Sequence, residues 1–86
     1  MTRLTLEGGA VEARLRQIIA HVANVAPDTF GPDDDLRATI GLDSLSALRV
    51  AAVVEREFNV TIPDAQLQEL STLRAIARHV RGGGPS

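Results

Sequence analysis

The residues best placed to do chemistry are Ser44 and the aspartate before it, within the stretch Gly41-Leu42-Asp43-Ser44-Leu45. Gly41 interrupts the preceding pattern, and Asp43 or Ser44 can cap a helix that begins immediately afterwards. A serine hydroxyl becomes a nucleophile when a base lies within hydrogen-bonding reach and a further group orients that base. The chain must therefore supply a base if Ser44 is to react unaided.

The candidate bases are two histidines, His21 and His79. We expect one on the first helix and the other on the last, and neither accompanies a hydrolase motif. The nucleophile-elbow pattern G-x-S-x-G is absent around Ser44, as are a helical pair of metal ligands and a glycine-rich phosphate loop. An enzyme using Ser44 would need one of the histidines beside it. We therefore predict no self-contained catalysis, and if Ser44 reacts, another enzyme activates it.

A run of three aspartates, Asp33-Asp34-Asp35, is the other candidate site. Its spacing lacks the alternating ligands, the glycine and the closing glutamate of a calcium loop. We interpret the run as a solvated charge cluster that can cap a helix, and we predict no metal site.

The composition excludes several classes of function. The 86 residues are 44% hydrophobic, which suits one small domain over residues 1–86 with flexible ends at about 1–8 and 82–86. The absence of cysteine excludes disulfides and thiolate metal sites. A net charge of -2 and two aromatic residues argue against nucleic-acid binding. No signal-peptide run and no apolar stretch of about 20 residues is present, so we expect a cytoplasmic protein without a membrane partner.

Helical periodicity of the apolar residues predicts an all-α fold, a four-helix bundle with three longer helices and one short one. The first helix begins at Ala10 and ends before Pro27, because the residue before a proline is pushed out of the helical conformation. The second helix spans about 44–58. The long connection between them, residues 26–43, is expected to be functional or to contain a short turn of helix.

Two further helices complete the predicted bundle. A short helix begins at Pro63 and runs to about Leu70, since proline is favoured in the first position of a helix. The last helix is capped by Ser71 or Thr72 and repeats apolar residues at helical spacing as far as Val80.

The second helix carries apolar residues on two sides. Residues placed at about 100° intervals form a core stripe. The stripe comprises Ala47, Val50, Ala51, Val54 and Phe58. Leu45, Leu48 and Ala52 form a second arc beside Ser44. A helix of a small bundle needs only one apolar stripe. The second arc therefore indicates either packing on a second neighbour or an exposed patch where a partner docks.

The landmarks from Gly41 to Val80 resemble those of acyl carrier proteins in order and spacing. Gly41-Leu42-Asp43-Ser44-Leu45 is followed by a helix ending in Glu55-Arg56-Glu57-Phe58, then by Ile62-Pro63-Asp64 and by Ser71-Thr72-Leu73. The resemblance covers nearly the whole chain. D-S-L alone is common by chance, whereas D-S-L with F-x-V-x-I-P-D downstream is specific.

The resemblance implies a non-catalytic carrier. Ser44 would be the attachment point for 4′-phosphopantetheine, transferred from coenzyme A by a separate phosphopantetheinyl transferase, and the terminal thiol of this arm would hold an acyl group as a thioester. Asp43 would help to orient the transferase and its metal. Acyl-loading and acyl-processing enzymes, such as a ligase, a ketosynthase or a condensation-type enzyme, would dock beside Ser44. The implied docking residues are Leu45, Leu48, Arg49, Ala52 and Glu55, with the loop aspartates adding to a charged rim.

Two positions depart from the carriers of fatty acid synthesis. Those carriers have an acidic residue directly after D-S-L and another three residues further along, where this chain has Ser46 and Arg49. Steering toward arginine-rich partners would therefore be weaker. The departure favours a carrier of polyketide or mixed polyketide–peptide biosynthesis. Asp43 stands where peptidyl carriers tend to have histidine, which favours acyl cargo.

Two alternatives to the acyl carrier stay open at this point. One is an aminoacyl or peptidyl carrier, and the other is a small helical interaction module without a prosthetic group. We expect a monomer, because a carrier has to visit several enzymes. The initiating methionine and short tails favour a free-standing protein over an excised domain, and in the alternative residues 82–84 are the end of a linker.

Overall fold

Five α-helices make up residues 8–82, the part of the chain that the computed structural model describes. They are α1 (Gly8–Ala23), α2 (Leu36–Ile40), α3 (Ser44–Phe58), α4 (Asp64–Leu67) and α5 (Leu73–Arg81). These residues contain no strand, and α1, α3 and α5 are the long helices, so the predicted all-α class is confirmed. The ends predicted to be flexible fall almost entirely on residues 1–7 and 83–86, which lie outside the described range.

The core lies around α1, which packs against both α3 and α5. Helical spacing places one apolar stripe of each long helix on the inside. The largest fully buried side chains are Val11, Leu15, Ile19, Leu36, Val54 and Leu73. Each contributes roughly 1.5–3 kcal/mol by leaving water. The predicted core stripe of α3 faces inward, with Val50, Ala51 and Val54 buried.

The first helix ends at Ala23, earlier than predicted from Pro27. The cause is Asn24, which adopts the left-handed conformation at φ 60°. The amide of Val25 turns back to the Ala20 carbonyl at 3.0 Å, which satisfies one of the last carbonyls of the helix. Asparagine tolerates this conformation, so the helix stops before the proline is reached.

The connection between α1 and α3 contains the short turn of helix that its length predicted. Asp35 caps α2 by accepting hydrogen bonds from the amides of Arg37 and Ala38 at 2.9 and 3.2 Å. Gly41 ends α2 at φ 70°, a conformation that strongly favours glycine. The interpretation of the aspartate run as capping charge is thus confirmed for Asp35. Residues 8–82 hold no group of side chains that could bind a metal ion.

Two arginines hold the first half of the same connection. Arg16 donates hydrogen bonds to the carbonyls of Pro27 and Phe30, and its guanidinium lies 5.0 Å from the centre of the Phe30 ring. Arg74 at the start of α5 pairs with Asp33 at 2.6 Å. The connection is therefore held against both α1 and α5.

The fourth helix is shorter than predicted. Pro63 is the extended residue that precedes it, and the helix covers Asp64–Leu67. Beyond it, the amides of Glu69 and Leu70 bond to carbonyls three residues back, at 2.8 and 3.1 Å. The segment thus continues as tight turns rather than as an α-helix. None of the helices in the described range is long and apolar enough to cross a membrane.

Candidate functional site at the start of α3

The turn that presents Ser44 is built from Gly41 and Leu42. Gly41 ends α2 in the left-handed conformation, and the Leu42 side chain is buried in the core. The Leu42 amide bonds to the Leu36 carbonyl at 3.2 Å. The chain is therefore anchored two residues before Ser44, and α3 begins at a defined place on the surface.

Asp43 is the residue that caps α3. Its Oδ1 accepts a hydrogen bond from the Ser46 amide at 2.8 Å, and its carbonyl accepts one from the Ala47 amide at 2.8 Å. The bond from the Ser46 amide lowers the pKa of the Asp43 carboxyl below its ordinary value, and the nearby charge of Arg49 adds a smaller contribution. The carboxylate is therefore charged at neutral pH. The sequence left the cap open between Asp43 and Ser44, and the structure assigns it to Asp43.

Because Asp43 is the cap, the Ser44 hydroxyl is available. Ser44 is the first residue of α3 and is exposed. Among the hydrogen bonds of residues 8–82, none involves its hydroxyl. The site lies at the positive end of a 15-residue helix, where unpaired backbone amides favour a negatively charged group. A phosphate ester on Ser44 would fit this position, because the site is open to solvent and the positive end of the helix dipole stabilises negative charge.

Neither of the two histidines forms a hydrogen bond with this serine in the described part of the chain. His21 is exposed on α1, and the Nε2 atom of His79 lies 2.8 Å from the Thr61 carbonyl oxygen. Neither histidine is hydrogen-bonded to Ser44. Within the described range, the structure therefore places neither candidate base in contact with the Ser44 hydroxyl.

The second apolar arc of α3 is exposed. Leu45 is 66% exposed and Leu48 is 46% exposed, and they are the large apolar residues most open to solvent in the described range. Ala52, one turn further on, is exposed as well. Of the two interpretations of this arc, packing on a second neighbour is not seen within residues 8–82. The arc forms an apolar patch next to Ser44.

The two charged residues implied for docking differ in their surroundings. Arg49 is exposed on the same side of α3 as the apolar patch. Glu55 is half-buried, and its Oε2 accepts a hydrogen bond from the Ile62 amide at 2.7 Å. This carboxylate therefore fixes the segment that follows α3.

A cleft beside the start of α3 was not predicted. It has a volume of about 250 Å³ and lies between α2, α3 and the segment around α4. Its lining residues include Arg37, Leu42, Ala47, Gln68 and Ser71. They come from three separate segments, so no local pattern in the sequence could have revealed the cleft.

The described part of the chain is thus a helical bundle that presents an exposed serine hydroxyl and an apolar patch at the start of one helix. Residues 13–80 match the sequence profile of the family described as "Phosphopantetheine attachment site". The chain is also 34% identical over 67 residues to an acyl carrier protein of Streptomyces coelicolor, an alignment that covers 77% of this chain and 73% of that protein.

The chain therefore belongs to the phosphopantetheine-binding acyl carrier protein family. Its cofactor is covalently attached 4′-phosphopantetheine, and members of the family are carriers rather than catalysts. They act together with acyl-processing enzymes.

Proposed function

We propose that Ser44 carries the 4′-phosphopantetheine arm and that the protein presents acyl groups to partner enzymes. When attached, the arm supplies a terminal thiol that holds an acyl group as a thioester. The observation that carries the proposal is the exposed Ser44 hydroxyl at the start of α3, without a hydrogen-bond partner in residues 8–82. A hydroxyl in this position is accessible to a second protein. It lies at the positive end of the α3 dipole, which favours a negatively charged group such as a phosphate.

A separate phosphopantetheinyl transferase loads the arm in this proposal. Ser44 has no internal base, so the transferase has to supply one. Asp43 uses Oδ1 to accept the hydrogen bond from the Ser46 amide that caps the helix. The charged Asp43 carboxylate belongs to the residue directly before Ser44, where it would help to orient the transferase and its metal.

Partner enzymes dock on the apolar patch of α3 in the same proposal. Leu45, Leu48 and Ala52 provide the exposed apolar surface, and Arg49 lies within it. Glu55 lies at the edge of this surface, where its bond to the Ile62 amide fixes the neighbouring segment. Apolar patches of this kind on a small protein commonly mark interaction sites.

The setting we propose is a cytoplasmic, monomeric carrier domain of secondary metabolism. Ser46 and Arg49 replace the acidic residues typical of fatty-acid carriers, which favours polyketide or mixed polyketide–peptide biosynthesis. The partners would then be an acyl ligase, a ketosynthase or a condensation-type enzyme. Asp43 before the serine favours acyl over aminoacyl cargo.

The test is the intact mass of the purified protein before and after incubation with coenzyme A and a broad-specificity phosphopantetheinyl transferase. We expect a gain of one phosphopantetheine unit in the natural protein and none in Ser44→Ala. Ser71→Ala is the matched control, because it removes an exposed serine hydroxyl outside the site that forms no side-chain hydrogen bond within residues 8–82, and it should load normally. Folded, unmodified protein that gains no mass would overturn the proposal and leave an interaction module without a prosthetic group.

A further inference from the structure

The exposed side of α3 combines apolar residues with positive charge. Leu45, Arg49, Ala52 and Arg56 follow one another at intervals of four, three and four residues, so they form one row along the helix. Leu48 lies beside the row, and all five residues are exposed. We call these five residues the outer row. None of them is acidic, so this face of α3 presents two guanidinium groups among apolar side chains.

Both glutamates of α3 form hydrogen bonds with other parts of the same chain. Glu57 pairs with Arg14 of α1, with 2.9 Å between Arg14 Nη2 and Glu57 Oε1. Glu55 accepts the hydrogen bond from the Ile62 amide. Neither carboxylate forms an ion pair with Arg49 or Arg56 within residues 8–82.

The arginines of the outer row have no ion-pair partner within residues 8–82. The ion pairs there belong to Arg14, Arg74 and Arg81. The pKa of the Asp43 carboxyl is lowered chiefly by the Ser46 amide and less by the charge of Arg49. The pKa of the Glu57 carboxyl is lowered chiefly by the hydrogen bond from Arg14 and less by the charge of Arg56. Those carboxylates already accept hydrogen bonds from the Ser46 amide and from Arg14. The donors of Arg49 and Arg56 thus remain free for another molecule.

Acidic residues elsewhere do not cancel this pattern. Asp64 and Glu69, in and after the neighbouring helix α4, are exposed, but neither forms an ion pair with the outer row in the described structure. The chain as a whole has a net charge of -2. The positive charge of the outer row is therefore local, and its sign is opposite to that of the net charge of the whole molecule.

We propose that the outer row binds an acidic protein surface: an apolar depression on the partner that receives Leu45 and Leu48, flanked by carboxylates that pair with Arg49 and Arg56. A guanidinium offers a planar fork of donors that matches a carboxylate, and exposed charges of this kind select partners and set the rate of encounter. The proposal rests on the proposed function only in assuming that partners approach at the Ser44 end of α3.

The test uses a single thiol introduced beside the outer row. The chain contains no cysteine, so Ser44→Cys creates one attachment site and needs no transferase. Two helical peptides, each with one terminal cysteine and the same leucine stripe, one flanked by glutamates and the other by lysines, compete for this thiol in a buffer of reduced and oxidised glutathione. The oxidised glutathione is the oxidant, and glutathione leaves as each protein–peptide disulfide forms. Tethering raises the effective peptide concentration to the millimolar range, so a weak preference becomes measurable as the ratio of the two adducts by mass spectrometry.

We expect the glutamate peptide to be captured roughly fivefold more than the lysine peptide at low salt, with the ratio falling toward one as salt is added. Non-specific attraction to a chain of negative net charge would favour the lysine peptide, so the expected sign is diagnostic. In Ser44→Cys protein that also carries Arg49→Glu and Arg56→Glu, the preference should invert. Arg78→Glu is the matched control, because Arg78 is exposed on α5 away from the outer row, and it should leave the ratio essentially unchanged.

Equal capture of both peptides, or a preference for the lysine peptide, would overturn the proposal. The second measurement is the change in the amide NMR chemical shifts of Leu45, Leu48 and Ala52 between the free protein and the glutamate adduct. Unchanged shifts would show that the peptide binds elsewhere and would also overturn the proposal. Failure of Ser44 to accept phosphopantetheine would refute the proposed function without affecting this ratio. The two proposals can therefore fail separately.

Discussion

Helices α3 and α5 begin with the same kind of side-chain cap, but their first residues have different surroundings. At α3, the Asp43 side chain accepts the Ser46 amide at 2.8 Å, and at α5, the Thr72 side chain accepts the Ala75 amide at 3.1 Å. The next residue of α5 is Leu73, which is 0% exposed. The next residue of α3 is Ser44, which is exposed. The two helix starts therefore do not differ in their capping. They differ in whether the first residue of the helix is buried or exposed.

The start of α5 is enclosed because the α1–α3 connection lies against it. The Leu36 amide bonds to the Ser71 carbonyl at 3.0 Å, and the Arg74 amide bonds to the Pro32 carbonyl at 2.9 Å. At α3, the preceding anchor is Leu42, and the first turn itself stays open. The comparison shows how one fold uses a helix start to hold the core in one place and to present a side chain in another.

The largest expected difference between the two starts is in stability. Leu73→Ala should lower the free energy of unfolding by about 2–5 kcal/mol, because it leaves a cavity in the core. Ser44→Ala should change it by no more than about 0.5 kcal/mol, because the side chain is exposed and is not the cap. Urea unfolding followed by circular dichroism measures both. Similar losses in the two variants would show that the start of α3 is structural as well.

The cap of α5 gives the next largest effect. Thr72→Ala removes the acceptor for the Ala75 amide and should cost about 1 kcal/mol in the same unfolding experiment. Thr72→Ser retains the hydroxyl and serves as the control. If Thr72→Ser destabilises the protein as much as Thr72→Ala, the threonine methyl rather than the cap accounts for the loss.

The two caps should differ in their response to pH. The pKa of the Asp43 carboxyl is lower in the folded protein than its ordinary value of 3.8, because the Ser46 amide donates to the charged form. Its contribution to stability is therefore complete above the unfolded pKa and is lost as pH falls through the folded pKa. The stability difference between the natural protein and Asp43→Asn, which keeps a neutral cap, should shrink on acidification below about pH 4. The effect of Thr72→Ala should not change over this range.

Sequence periodicity predicted the parts of the molecule that depend on local pattern. The predicted span of α3, 44–58, agrees with Ser44–Phe58, since a glycine, a capping residue and an apolar stripe all occur within that stretch. The exposed Leu45 and Leu48 could be singled out for a similar reason, because they lie off the core stripe. The five residues of α2 are too few for periodicity, so only Asp35 and Gly41 at its ends mark it.

The parts that could not be predicted depend on residues far apart in the chain. Arg16 reaches the carbonyl of Phe30, 14 residues away, and Glu55 reaches the amide of Ile62. A charged residue in a helical pattern reads as solvent-facing, and nothing near Glu55 indicates a buried amide partner. The engagement of both α3 glutamates, which leaves the outer row basic, therefore became visible only in three dimensions.

The smallest expected effect concerns the ion pair that braces the start of α5. Arg74 lowers the pKa of the Asp33 carboxyl through their hydrogen bonds, and both side chains are largely exposed. Arg74→Gln, Asp33→Asn and the double variant form a cycle that isolates the coupling between them. Because the folded pKa of Asp33 is the lower one, the coupling should be present at neutral pH, decline as pH falls through that pKa, and decrease with added salt. A coupling indistinguishable from zero at neutral pH and low salt would mean that the backbone bonds of Leu36 and Arg74 hold this helix start without the ion pair, and the contrast with α3 would then rest on those bonds and on packing.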